Sequence, residues 1–205
     1  MIKYIIWDWN GTLLDDVSLN LEVLNCLREQ EGLAPLTKDA YRSAFGFPIR
    51  DFYARIGFDF QKTSYETLAD RYWVMYEQGV KTCPLADGAV ETLAALPTAH
   101  IILSASPLSA LRAQVAQYPD LAAHVSRILG TDNVLGASKT ALARSLREEG
   151  LCPPDEMLVV GDTDHDAATA AVLGCRFIPY AGGHQHNGGI QNLSELLHKI
   201  KEIER

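Results

Sequence analysis

The sequence predicts an α/β protein, a doubly wound parallel sheet carrying an inserted α-helical segment. Three observations lead there. Short, almost wholly apolar runs recur at Ile2 to Trp7, His100 to Leu103, Val125 to Leu129, Met157 to Val160 and Cys175 to Ile178, as expected of strands buried on both faces of a parallel sheet. Helical patterns ending in helix stops lie between the later runs. Residues 15–81, by contrast, hold helical patterns and no strand-like run. The chain of 205 residues is about 1.4 times a typical domain, which fits one core with one insertion. The expected organisation is therefore a core of residues 1–14 and 82–205 interrupted by a helical segment of residues 15–81.

The elements follow in chain order. The first strand ends at Asp8, where the apolar run meets a charge. In the insertion, Val17, Leu21, Leu24 and Leu27 recur at helical spacing before a stop at Gly32. A second pattern opens with Thr63-x-x-Glu66, a capping box, and continues through Leu68, Tyr72 and Met75 to Gly79. In the core, one helix starts at Asp87 with Val90, Leu93 and Leu96 on one side, and another has Pro107 in its first turn. A third runs from Ser138 to Gly150. The Ala-rich stretch Ala167 to Leu173 ends at Gly174, the residue type that turns a helix end left-handed. A last helix covers about Leu193 to Lys201.

Composition narrows the function. A net charge of −8, from 26 acidic and 18 basic residues, repels polyanions and argues against a nucleic-acid groove. No apolar run spans a bilayer, and Lys3 and Asp8 come too early for a signal peptide. Cys26, Cys83, Cys152 and Cys175 form no C-x-x-C pair, which fits a reducing compartment. The expectation is a cytoplasmic protein, monomer or homodimer, with no membrane or nucleic-acid partner.

Open parallel sheets bind ligands beyond the carboxyl ends of their strands, and those positions are polar here. The first strand ends in Asp8-Trp9-Asn10-Gly11-Thr12-Leu13, the second in Ser104-Ala105-Ser106, and the fourth in Gly161-Asp162-Thr163-Asp164-His165-Asp166; Lys139 opens the helix after the third. A lysine in a first turn opposes the helix macrodipole by about 0.3–1 kcal/mol, which an anion at that end would offset. Read singly, Ser106 before Pro107 is a helix cap, His165 is exposed, Asp164 and Asp166 favour the Ala-rich helix start, and Asp15 and Asp16 start the first inserted helix.

These four motifs, in this order, resemble the haloacid dehalogenase superfamily, in its phosphoglycolate phosphatase-like branch with a helical cap, and the resemblance covers nearly the whole chain. It implies a Mg2+-dependent phosphatase acting on a small phosphorylated metabolite, with Asp8 as nucleophile. It further implies that Asp8, Asp162 and the backbone carbonyl of Asn10 hold Mg2+, and that Ser104 and Lys139 bind phosphate with Thr12 nearby. Asp166 joins the metal shell. These residue types suit the chemistry: phosphoryl transfer needs an in-line nucleophile and positive charge on the equatorial oxygens, and Mg2+ takes oxygen ligands. In the inserted cap, Arg50 within Phe45 to Phe52 is the candidate substrate anion contact; the phenylalanines there read as cap core. The loop Gly182 to Gly189 brings His184 and His186 to the same rim.

One position departs from the family pattern. The usual acid/base aspartate two residues after the nucleophile is Asn10, and an amide exchanges no proton near neutral pH. Acid–base assistance is typically about 10²–10⁴-fold, so slow turnover is expected unless the leaving group is good, as in an aryl or acyl phosphate. An Asn placed to trap a complex, or a phosphate-binding protein with residual activity, would account for the residue as well. A β-phosphoglucomutase-like phosphotransferase shares core and cap but relies more heavily on the missing Asp. Of the non-enzymatic alternatives, a phospho-receiver module typically carries no helical insertion after its first strand, whereas a phosphate-binding protein would show metal-dependent binding with no turnover.

Overall fold

The computed structural model describes residues 1–131, 139–185 and 188–205. The chain begins with β1 (Tyr4–Trp7) and then enters four helices, α1 (Val17–Gln30), α2 (Lys38–Ala44), α3 (Ile49–Arg55) and α4 (Tyr65–Gly79). It returns through α5 (Ala89–Ala95), β2 (Ala99–Pro107), α6 (Leu108–Val115), α7 (Pro119–Ala122) and β3 (Val125–Thr131). The remainder is α8 (Lys139–Glu148), β4 (Met157–Gly161), α9 (Asp164–Leu173), β5 (Arg176–Pro179) and α10 (Leu196–Ile203). The described strands form one sheet in the order β3-β2-β1-β4-β5, parallel throughout. This is the doubly wound α/β fold that the apolar runs predict.

Alternation along the buried strands divides the core in two. Ile5, Trp7, Ile102, Leu158 and Val160 face one side, packing with residues of α5 and α10 and with Tyr76 of α4. Ile6, Ile101, Leu103, Met157 and Val159 face the other, against α8 and α9. The four helices between β1 and α5 carry an apolar cluster of their own, centred on Leu24, Leu27, Tyr41, Phe52 and Leu68. Each such fully buried side chain contributes about 1.5–3 kcal/mol relative to exposure.

Several boundaries differ from the sequence expectation, each for a local reason. Ser64, not Thr63, caps α4, accepting a hydrogen bond from the Thr67 N–H, while Thr63 donates to the Glu31 carboxylate instead. β2 extends to Pro107 because β3 continues beside it, pairing Pro107 with Thr131; Pro107 therefore precedes α6 rather than sitting in its first turn. The C-terminal segment from Leu193 begins as a 3₁₀ turn, capped reciprocally by Asn192 and Glu195, before α10. Ser138, the expected start of α8, lies outside the described residues. No helix among the described residues is long and apolar enough to cross a membrane.

Candidate active site

Register brings the polar strand ends together. β1 lies between β2 and β4, with Trp7 opposite both Ile102 and Val160, and the Asp8 N–H donates to the Val160 carbonyl at 3.0 Å. Asp8 and Asp162 therefore leave the sheet side by side, next to Ser104, which sits in β2 where its register with β3 breaks after Leu103. Asp166 follows in the first turn of α9, where its Oδ2 accepts from the Thr163 N–H at 2.9 Å and the Thr163 hydroxyl at 2.8 Å. Its helix-start role and its place in the acidic cluster are thus compatible.

Asp8, Asp162 and Asp166 are all buried, and a carboxylate oxygen of each lies within 4.8 Å of the others. The Lys139 ammonium, buried with them, ion-pairs with both Asp8 and Asp166. Burial, and then the charge of Asp166, push the Asp8 carboxyl well above the usual range despite Lys139. Burial raises Asp162 too, with His184 pulling the other way. Burial disfavours the Lys139 cation, yet Asp166 and Asp8 together raise its pKa. One ammonium among three buried carboxylates leaves the cluster short of positive charge.

The loop from β1 is shaped by these acids. Gly11 has φ +75°, and a Cβ there would meet Asp162 and His184; Gly183 likewise has room for no side chain against Asp162. Between the helical layer and the sheet is a cavity of about 510 Å3, with Asp8, Asn10, Ser104 and Lys139 at the sheet end and aromatic side chains from the helices at the other. Ser104 is buried at its wall, its Oγ accepting from the Ser106 N–H at 3.1 Å. The Thr12 hydroxyl donates to Asp162 Oδ1 at 3.1 Å, so it supports an acid and does not line the cavity. Arg50 is not among the lining residues either; its guanidinium sits over the Phe60 ring, 5.4 Å from the centroid.

Asn10 is held on every side. Its amide N–H groups donate to Asp16 Oδ2 at 2.9 Å and to the Tyr76 hydroxyl oxygen at 2.7 Å, and its Oδ1 accepts from the Ser106 hydroxyl at 2.9 Å. Ser106 is thus a partner of Asn10 rather than a helix cap. Asp16 stands at the start of α1, where the sequence placed it, but the role of its side chain was missed. It precedes α1 without capping it; instead its buried carboxylate also accepts from the Gly11 N–H, the Asn20 amide and the Tyr76 hydroxyl. His184 Nε2 lies 3.2 Å from Asp16 Oδ1, and its Nδ1 is hydrogen-bonded to the Tyr41 hydroxyl at 2.7 Å. Burial would lower the His184 pKa, but Asp16 overrides it and brings the ring to about 9. Burial would raise Asp16, and the His184 charge outweighs it and holds the carboxyl below its usual value. The pair Asp15-Asp16 was the sequence signal, but only the fold brings Tyr76 and His184 to it.

Aromatic rings join the four helices to the rim. Phe45 stacks on His184, and Phe47 lies flat on His165 with centroids 3.6 Å apart. Phe47 and His165 are therefore a contact between helical layer and sheet, not cap core and a surface residue. Arg42 donates to the carbonyls of Ala181 and Gln185, fastening α2 to the loop after β5. His186 lies outside the described residues.

Comparison with known proteins agrees with this architecture. A phosphoglycolate phosphatase of Chromobacterium violaceum is 25% identical over 194 residues, covering 89% of this chain and 86% of the relative. A haloacid dehalogenase-like protein of Agrobacterium tumefaciens superposes with a TM-score of 0.84 at 19% identity over 100% of both chains. A haloacid dehalogenase-like hydrolase of Streptococcus pneumoniae gives 0.80 at 17% identity, covering 97% of this chain and 98% of that one. The family model described as haloacid dehalogenase-like hydrolase matches residues 5–179. That match begins inside β1 and closes with β5, taking in the whole sheet and everything inserted between its strands, and the chain belongs to the haloacid dehalogenase-like hydrolases.

Proposed function

We propose that the protein is a Mg2+-dependent phosphatase that hydrolyses a phosphate monoester through an aspartyl-phosphate on Asp8. The observation that carries this reading is the meeting of Asp8, Ser104 and Lys139 at the floor of one cavity, with Asp162 and Asp166 packed behind them. Three buried carboxylates with one ammonium between them suit a hard divalent cation, whose preference is for oxygen donors. Asp8, Asp162 and the Asn10 backbone carbonyl would hold it, with Asp166 in the surrounding shell. When bound, Mg2+ offsets the negative charge of the nucleophile and of the phosphate.

The chain's own residues supply the rest. Ser104 and Lys139 take the phosphate oxygens and orient phosphorus toward Asp8. An Asp8 carboxylate oxygen attacks phosphorus, the bond to the leaving oxygen breaks, and that oxygen departs with the electron pair and is protonated from solvent. Water then attacks phosphorus, the bond to Asp8 breaks, inorganic phosphate leaves and the surplus proton passes to solvent. Asn10 does not take part in proton transfer; with both amide hydrogens and its oxygen engaged, it fixes the loop that carries Asp8. Residues 15–81 act as the cap, excluding water from the cavity and contacting the substrate beyond its phosphate. The four cysteines, free of disulfides, suit a cytoplasmic enzyme.

The test is phosphate release from p-nitrophenyl phosphate. Turnover that requires Mg2+, stops with EDTA and is absent in Asp8→Asn is the expected result; metal-independent turnover, or full activity in Asp8→Asn, would overturn the reading.

A further inference from the structure

We infer that the cavity selects phosphate monoesters whose alcohol is an uncharged aromatic ring and discriminates against those whose alcohol carries a carboxylate. The inference rests on the phosphatase reading and specifies its substrate class. It starts from the contrast between the two ends of the cavity. Beyond Asp8, Ser104 and Lys139, the cavity is lined by Phe47, Ile49, Tyr65, Trp73 and Val74 among others. At about 510 Å3 the cavity falls within the 300–1,000 Å3 typical of small-molecule sites, and edge-on or offset packing of a ring against such aromatics is favourable.

Charge gives the second argument. Among the described residues that line the cavity, Lys139 is the one Lys or Arg, and it is engaged by Asp8 and Asp166. His184 is held by Asp16 and Tyr41, and His165 lies against Phe47. Arg42 is directed at backbone carbonyls and Arg50 at Phe60. Residues 132–138, 186 and 187 contain no Lys or Arg. The charged side chains that α4 adds to the lining are Glu66 and Asp70, both exposed and both acidic. A carboxylate on the leaving group would lose water to a largely aromatic surface and meet two acids, while the cations that line the cavity, Lys139 and His184, are each already paired with a carboxylate. Phosphoglycolate, the substrate in the name of the Chromobacterium relative, carries such a carboxylate.

Leaving-group chemistry gives the third. With the Asn10 amide engaged by Asp16 and Tyr76, it offers no hydrogen bond to the departing oxygen. An aryloxide, whose parent phenol titrates near 10 as tyrosine does, departs without such help far more readily than an alkoxide.

The experiment is calorimetric binding of benzylphosphonate and phosphonoacetate to the wild-type protein with Mg2+, since neither is hydrolysed. Benzylphosphonate binding at least about tenfold tighter is expected; equal or tighter binding of phosphonoacetate overturns the inference. Trp73→Ala should weaken benzylphosphonate severalfold, and Glu66→Arg, on the exposed side of α4, should strengthen phosphonoacetate. Unchanged affinities in folded variants would count against it. Turnover separates the two readings. Faster hydrolysis of phosphoglycolate than of phenyl phosphate would sink the selectivity and leave the phosphatase standing. Benzylphosphonate preference with no hydrolysis of either ester would keep the selectivity and remove the phosphatase.

Discussion

Asn10 is the residue at which chemistry and packing meet. Its amide is a spacer between Asp16 and Ser106, and an aspartate in its place would face the Asp16 carboxylate at the 2.9 Å now bridged by an N–H. Two carboxylates sharing a site push one pKa upward, which would create an acid able to hold a proton near neutrality. Asn10→Asp is therefore expected to raise kcat on alkyl phosphates by about 10²–10⁴-fold while changing aryl phosphates little. Assays of paired alkyl and aryl esters check this, and an equal effect on both would contradict it. Much of this site was legible from short motifs. Asp8 and Asp162 stand just after a strand, Lys139 and Asp166 at a helix start, and Ser104 within β2 where its pairing with β3 shifts register; the fold does gather them. Asp16 was not legible, because its partners Tyr76 and His184 lie 60 and 168 positions away and only tertiary packing brings them near. Arg50 illustrates the opposite error: a cation in an aromatic-rich segment found a ring, Phe60, rather than the cavity.

At the scale of elements, buried strands were easy to read because both faces are apolar, whereas strand and helix ends depended on neighbours. β2 is longer than its apolar run because β3 supplies partners beyond Leu103. The same strand carries a polar residue, His100, buried in the core. Trp7 Nε1 donates to His100 Nδ1 at 3.0 Å, and His100 Nε2 lies 3.0 Å from the Leu93 carbonyl, so β1, β2 and α5 meet at one ring. Nδ1 can accept only when unprotonated, and burial accordingly lowers the His100 pKa, with the backbone carbonyls opposing. For a base whose folded pKa is depressed, the unfolded chain binds the extra proton first. The stability that His100 contributes is thus complete above the unfolded value of about 6.5 and is lost as pH falls through the folded one. Denaturant midpoints measured between neutral and mildly acidic pH should fall more steeply for the wild type than for His100→Gln; parallel curves would contradict the assignment.

Across the whole molecule, a chain of net charge −8 concentrates three buried acids at the carboxyl ends of the interior strands β1 and β4 and closes an aromatic layer over them. Aromatic stacking at Phe45 and Phe47, the Arg42 hydrogen bonds and the Asp16 network all join that layer to the sheet. Residues 15–81, which show helical patterns and no strand-like run, do hold α1 to α4, but the joints to the sheet were not legible, since they pair residues from distant motifs. In the proposed mechanism Mg2+ and Lys139 would convert the acidic cluster into a receptor for phosphate, with Asp8 as the nucleophile. The most direct test is mass spectrometry of protein quenched during turnover of phenyl phosphate with Mg2+. One phosphoryl group on the peptide containing Asp8, absent in Asp8→Asn, is the predicted result; steady phosphate release with no phosphoryl group on Asp8 would contradict the covalent mechanism.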